Sequence, residues 1–164
     1  MDIINSLKWR YATKKFDPDK KISSTDLETL KQAVQLSVSS YGLQLYKILI
    51  IEDKELRKKL QAASWNQKQI TEASHLFVFC NYNKVESDHI DSFIRLTAET
   101  RNLEFEKLKG YGDFIKTKLA EKNKIEQANW LERQPYLALS NLLMASASLQ
   151  IDSCPMEGFE ADEY

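Results

Sequence analysis

The chain has 164 residues, of which 43% are hydrophobic and 29% charged, and its formal net charge is −1. That length supports one domain with a sizeable core, and the balance is that of an ordinary globular chain. A near-neutral total leaves no global electrostatic case for nucleic acid or an acidic membrane surface, so any anion binding has to be local.

In chain order, Ile3, Ile4 and Leu7 recur at helical spacing and predict a short helix from residue 2 to about 10. "ISSTDLETLKQAVQLS" predicts a second helix, with Ser23 as its cap, Asp26 three residues on, and Leu27, Leu30 and Val34 as its apolar stripe. It ends in a serine-rich turn, "SVSSYG". "YKILIIED" (46–53) reads as a buried strand, "KELRKKLQAAS" as a helix, and "HLFVFCNY" (75–82) as a second buried strand. Residues 86–108 read as a charged helix broken near Gly110 and Gly112. Residues 125–149 form the longest apolar helix candidate, which Pro135 should kink or interrupt by removing a backbone donor.

A third short strand, "QIDSC", then a turn, "PMEGF", lead to "EADEY", an acidic stretch that reads as the opening of another helix. A chain that stops on a helix start is expected to be C-terminally incomplete. Helices around a few short buried strands define an α+β class, with residues 1–164 as a single domain.

Other chemistries are poorly served. The two cysteines are Cys80, placed in the apolar run "LFVFC", and Cys154; neither suggests a disulfide framework. No signal-peptide h-region and no membrane-length apolar run occurs, so a cytoplasmic protein with reduced thiols is expected. His75 and His89 lack metal-ligand spacing with the cysteines, and no metal site is expected. Nucleophile-elbow, Walker and dinucleotide fingerprints are missing, so an enzyme built on this chain would draw its chemistry from a bound cofactor.

The feature left over is "WRYATKKFDP" (9–18), which groups Arg10, Lys14 and Lys15 where the first helix should end. On charge alone these cations could simply offset the negative end of a helix dipole, by about 0.3–1 kcal/mol each. The order of motifs is more specific. "RYATKKFDP", "SVSSYGLQLYKILIIED", "WNQKQITEASHLFVFC" and "CPMEGF", following a short N-terminal helix, resemble the nitroreductase family of FMN-dependent, oxygen-insensitive NAD(P)H oxidoreductases.

That resemblance implies a nitroreductase-like α+β fold, with a small mixed or antiparallel sheet flanked by helices and two FMN sites at a homodimer interface. It implies that Arg10 contacts the FMN phosphate, a contact suited to a guanidinium fork. Lys14 would lie near flavin N1 and the C2 oxygen, where reduced flavin is negative. Asn66 and Gln69 would face the pyrimidine side, with Gln69 standing where relatives often carry lysine. Val38, Ser39 and Ser40 correspond to a loop that crosses to the partner's flavin, with Val38 and Leu45 replacing common prolines. Pro155, Glu157 and Gly158 form the turn beneath flavin N5, with backbone N–H groups as donors.

Tyr11 and Ala12 belong to the same contact set, although relatives often carry histidine or serine at the first and serine at the second. Ser40, Tyr41, Arg101 and Phe114 are the candidate acceptor-binding residues. The implied activity is reduction of nitroaromatics, quinones or similar small electron acceptors by a ping-pong hydride transfer, with no membrane or nucleic-acid partner. The alternative is a non-catalytic, degenerate flavin-binding or dimerisation module, a reading favoured by Ala12, Gln69 and the abrupt end.

Overall fold

The computed structural model describes residues 2–164, and its early helices begin where a side chain can satisfy the free N–H groups of a first turn. Asp2 accepts from Asn5 N and opens α1 (Ile3–Trp9). Ser23 accepts from Asp26 N and opens α2 (Ser24–Gln35), while Asp53 accepts from Leu56 N and opens α3 (Lys54–Ala63). Between α2 and α3 lie a 3-10 turn (Ser40–Gly42) and β1 (Tyr46–Ile51). Then follow α4 (Gln69–Glu72), β2 (Leu76–Asn81), α5 (Ser87–Thr100), α6 (Phe105–Ala120), α7 (Lys124–Ser148) and a last 3-10 turn, Ala161–Glu163. The two strands form an antiparallel pair, and Tyr82 N donates to Leu45 O at 3.1 Å one residue beyond it.

The chain divides into two compact units. The first comprises residues 1–37, 48–79 and 138–164. Its buried apolar residues include Leu30 and Val34 of α2, Leu60 and Ala63 of α3, and Ile70 of α4. Each fully buried leucine or isoleucine contributes about 1.5–3 kcal/mol. The expected stripe of α2 is thus the buried one.

The second unit comprises residues 38–47 and 80–137. Its core is Leu43, Leu45, Ile90, Ile94, Ile115, Leu119 and Leu131. Glu86 and His89 cap α5 reciprocally, Glu86 N donating to His89 Nδ1 at 3.2 Å.

Three expectations need correcting. The break in the charged helical region falls between α5 and α6, around Asn102 (φ 52°), and Gly110 and Gly112 lie inside α6. A Cβ on Gly112 would stand 3.0 Å from Ile94 Cγ1, so the glycine allows a close helix approach. That packing outweighs the ~1 kcal/mol that glycine costs a helix. "QIDSC" forms no strand; Ser153 alone makes a parallel bridge to Ala12. The chain turns left-handed at Gln150 (φ 56°) and soon meets Pro155, which has no N–H to extend a ladder. Pro135 does not interrupt α7, and beside it the Gln134 side chain donates to Trp130 O at 2.8 Å. Among the described residues, no helix is long and apolar enough to cross a membrane.

Candidate functional site

In the first unit, Arg10 closes α1 through its own N–H, which donates to Ser6 O at 3.1 Å. Its side-chain Nε is buried and has no hydrogen-bond partner among the described residues. A buried, unpaired guanidinium N–H is a donor open to an acceptor atom of a ligand or water. Tyr11 is exposed, Ala12 bridges Ser153, and Thr13 is buried. Thr13 N donates to Ser153 O at 3.2 Å and its hydroxyl to Asp152 Oδ1 at 2.9 Å. These bonds lay residues 12–13 along residues 152–153.

One step further, Lys14 Nζ lies 3.8 Å and Gln69 Nε2 4.0 Å from Cys154 Sγ. A cation, an amide donor and a thiol thus converge at the start of "CPMEGF".

Gln69 opens α4, whose placement depends on Arg57. This guanidinium, 2% exposed, donates from Nε to Ile70 O at 2.6 Å, and from its two terminal nitrogens to Ser74 O at 3.2 Å and Ala73 O at 2.5 Å. Burial pulls the Arg57 pKa below its ordinary value and the Glu52 carboxylate opposes that pull. The result is a buried cation that caps a one-turn helix in place of water.

The turn after α3 carries Trp65 and Asn66 in succession at φ 53° and 57°, the left-handed region that non-glycine residues rarely adopt. Asn66 N donates to Gln61 O at 2.9 Å, leaving its side chain at the surface. Next in the chain, Gln67 Nε2 donates to Gly158 O at 2.9 Å, and the Trp65 indole N–H donates to Glu160 Oε1 at 2.8 Å. Glu160 N donates to Ala63 O at 2.8 Å, and the Tyr164 hydroxyl bonds Ser64 Oγ. Gly158, Glu160 and Tyr164, at the end of the "CPMEGF" turn and beyond it, are therefore tied to residues 63–67. Arg10, Ala12, Lys14, Asn66, Gln69 and this turn all belong to one unit.

The remaining candidates lie in the second unit. Val38 is exposed, Ser39 Oγ accepts from Gln44 N at 2.8 Å, and Ser40 N donates to Gln134 Oε1 at 2.8 Å. Tyr41, left-handed at φ 57°, and Arg101 help to line a cavity of about 590 Å³ together with Phe93, Thr97 and Tyr111. Phe114 stacks on Tyr111 with ring centroids 6.5 Å apart, and is outside that lining.

His75 pairs with Ser74 Oγ at 2.9 Å through Nδ1 and lies 3.5 Å from Glu52 through Nε2, its side chain 6% exposed. Burial lowers its pKa, and Glu52 offsets part of the effect. Among the described residues, no group of three or more His, Cys, Asp or Glu side chains is placed to hold a metal ion.

Four residues of this site are not singled out by sequence reasoning: Arg57, Trp65, Gln67 and Cys154. Arg57 had a signal, because it shares the α3 stripe with Leu60 and Ala63 at a spacing of three. The others had only their adjacency to "WNQ" and "CPMEGF".

The model of the nitroreductase family matches residues 7–164. A candidate NAD(P)H nitroreductase of Staphylococcus epidermidis is 36% identical over 165 residues, covering 98% of this chain and 75% of that protein. The crystal structure of a candidate nitroreductase, YdfN of Bacillus subtilis, superposes with a TM-score of 0.88 at 18% identity, over 98% of this chain and 77% of that one. A candidate nitroreductase of Exiguobacterium sibiricum, solved in complex with FMN, gives 0.83 at 20% identity, over 99% and 78%. With its fold, its motifs and these relatives in agreement, the chain belongs to the nitroreductase family, a family of oxidoreductases.

Proposed function

We propose that the protein is an FMN-dependent NAD(P)H oxidoreductase acting on nitroaromatics, quinones or similar electrophilic acceptors. The observation that carries this reading is the donor set of the first unit: the unpaired buried Nε of Arg10, the Lys14 ammonium and the Gln69 amide, together on a family chain. These groups fit a phosphate-bearing, electron-rich cofactor, since each donates and two are cationic. The Exiguobacterium relative solved with FMN supports the choice of cofactor.

Bound FMN would supply the chemistry of hydride relay from NAD(P)H to the acceptor, in a ping-pong order. The chain's own residues do the rest. Arg10 holds the phosphate, with Tyr11 and Ala12 beside it. Lys14 would place positive charge at the pyrimidine end, Asn66 and Gln69 would donate or accept there, and Pro155 would shape the turn from which the Glu157 and Gly158 backbone N–H groups meet the N5 edge. Val38, Ser39 and Ser40 would reach the flavin of the partner subunit, and Ser40, Tyr41, Arg101 and Phe114 would meet the acceptor there.

The reading treats residues 1–164 as one functional domain, supported by the family match over 7–164. It also includes a homodimer, supported by Ile3, Ile4 and Leu7, apolar side chains that α1 leaves exposed. The thiols Cys80 and Cys154, neither of them in a disulfide, support a reducing, cytoplasmic setting. A second reading, a flavin-binding or dimerisation module without turnover, is favoured by Ala12, whose methyl group offers a phosphate no hydroxyl.

Titrating the purified protein with FMN, then following NADH and NADPH oxidation with a nitroaromatic and a quinone, separates the two. Saturable binding with acceptor-dependent oxidation is expected. Binding without turnover leaves a flavin-binding module as the account, and no binding refutes the oxidoreductase reading and leaves a dimerisation module.

A further inference from the structure

We propose that Gln67 and Trp65 are positioning residues that set the direction of the Gly158 N–H. The inference rests on the flavin reading above, in which that N–H faces flavin N5.

The orientation passes through two linked peptide planes. Gln67 Nε2 donates to Gly158 O at 2.9 Å and so anchors the peptide between residues 158 and 159. The N–H of that same peptide, on Phe159, donates to Glu157 O at 3.2 Å and closes a three-residue turn. Glu157 O belongs to the next peptide plane, the one that carries the Gly158 N–H. That N–H donates to nothing among the described residues. A free donor thus sits at the end of a rigid relay that starts at the Gln67 amide.

Trp65 holds the other face. A Cβ on Gly158 would stand 2.7 Å from Trp65 Cζ3, 3.0 Å from Cε3 and 3.3 Å from Gln67 Nε2, so ring and amide both press on the glycine. The ring cannot swing away freely, because its N–H is tied to Glu160 Oε1 at 2.8 Å. Trp65 is nevertheless 64% exposed and sits on a left-handed backbone. Core burial explains neither the exposed indole nor the two consecutive left-handed residues. Strain of this kind persists where the surrounding structure over-determines it, characteristically at functional sites. Here it aims the indole at Gly158.

The test uses FMN labelled with 15N at N5, bound to the intact protein. The variants are Gln67→Leu, which removes the donor, and Trp65→Ala, which removes the support; Trp65→Phe keeps a smaller aromatic ring and loses both the N–H and the Cε3–Cζ3 edge that faces Gly158. The N5 resonance reports hydrogen bonding directly, and FMN affinity and the single-turnover rate of NAD(P)H oxidation are measured beside it. Gln67→Leu and Trp65→Ala are expected to move N5 downfield, as a weakened hydrogen bond requires. They should slow hydride uptake roughly ten- to a hundredfold, as a misplacement of about 1 Å does. Trp65→Phe, with a partial support and no N–H tie, should fall between Trp65→Ala and wild type.

Folded, FMN-loaded Gln67→Leu or Trp65→Ala with a wild-type N5 resonance would overturn the inference alone. Wild-type protein that takes up no FMN would overturn the flavin reading, and this inference with it.

Discussion

Replacing Arg57 by leucine keeps most of the buried volume and removes all three donors that hold residues 70–74. The bonds to Ile70 O, Ser74 O and Ala73 O each involve a charged donor. Such bonds contribute about 1.5–3 kcal/mol each, so the gross loss is roughly 5–9 kcal/mol. Against this, the leucine variant no longer buries a cation, which returns several kcal/mol. A net destabilisation of about 3–5 kcal/mol is expected, the range typical of a buried charged partner removed. Arg57→Lys, able to satisfy only part of the fork geometry, should fall between the two.

Urea unfolding followed by far-ultraviolet circular dichroism measures the difference, with a midpoint drop of roughly 1.5–2.5 M at an unchanged slope near 2 kcal/mol/M. In a thermal scan the shift should be roughly 10 °C, at about 2–4 °C per kcal/mol for a chain near this size. A leucine variant within 1 kcal/mol of wild type would refute the view that this guanidinium organises α4. Hydrogen exchange should agree, with faster exchange at residues 70–76 than elsewhere in the variant.

Arg10→Ala should weaken FMN binding roughly ten- to a hundredfold, as loss of one or two charge-assisted bonds implies, and flavin fluorescence titration reads it; an unchanged affinity removes Arg10 from the phosphate site. Lys14→Ala should lower the flavin midpoint potential, since the reduced, anionic form loses its cation. About 1–2 kcal/mol of screened attraction corresponds to roughly 20–45 mV for two electrons, and equal potentials in spectroelectrochemistry count against the placement. Gln134→Leu should cost about 1–3 kcal/mol, because the Ser40 N–H loses its acceptor, and equilibrium unfolding checks it.

His75 gives a pH dependence. Its folded pKa lies below the unfolded value of about 6.5, so the unfolded chain binds the proton first. Stability from this group is therefore complete above about pH 7, falls as pH drops through 6.5, and levels off below the depressed folded value. His75→Phe should flatten that part of the profile, and an identical slope in the variant would show that other groups cause it.

Elements with a capping side chain and a periodic stripe were legible from sequence, and α1, α2, α3 and α7 lie within a few residues of their expected bounds. Both strands were legible, β1 as a β-branched run and β2 as an apolar one, although they are half-buried in place of the full burial expected. The rest depended on partners distant in sequence. Gly112 looks like a breaker until Ile94 is set against it, and "QIDSC" looks like a strand until it meets only one residue of a neighbour. The left-handed pair Trp65–Asn66 contains no glycine to announce it. For the site, the basic stretch and "CPMEGF" could be picked out separately. Their meeting at Cys154 follows from the Ala12–Ser153 bridge, which no local pattern encodes.

The contact between Ile94 and Gly112 makes the volumes of those two positions a shared quantity. With a prospective Cβ at 3.0 Å from the isoleucine branch, there is no room for even one methyl group unless the opposite side chain gives one up. Position 112 is therefore freest to drift to alanine on chains that have lost the γ carbons at 94, and the two sites should vary together among relatives. Gly112→Ala would be harmful alone and milder in an Ile94→Ala background than in an Ile94→Val one, which keeps Cγ1, so the order in which the two changes arise is constrained even though their end point is not.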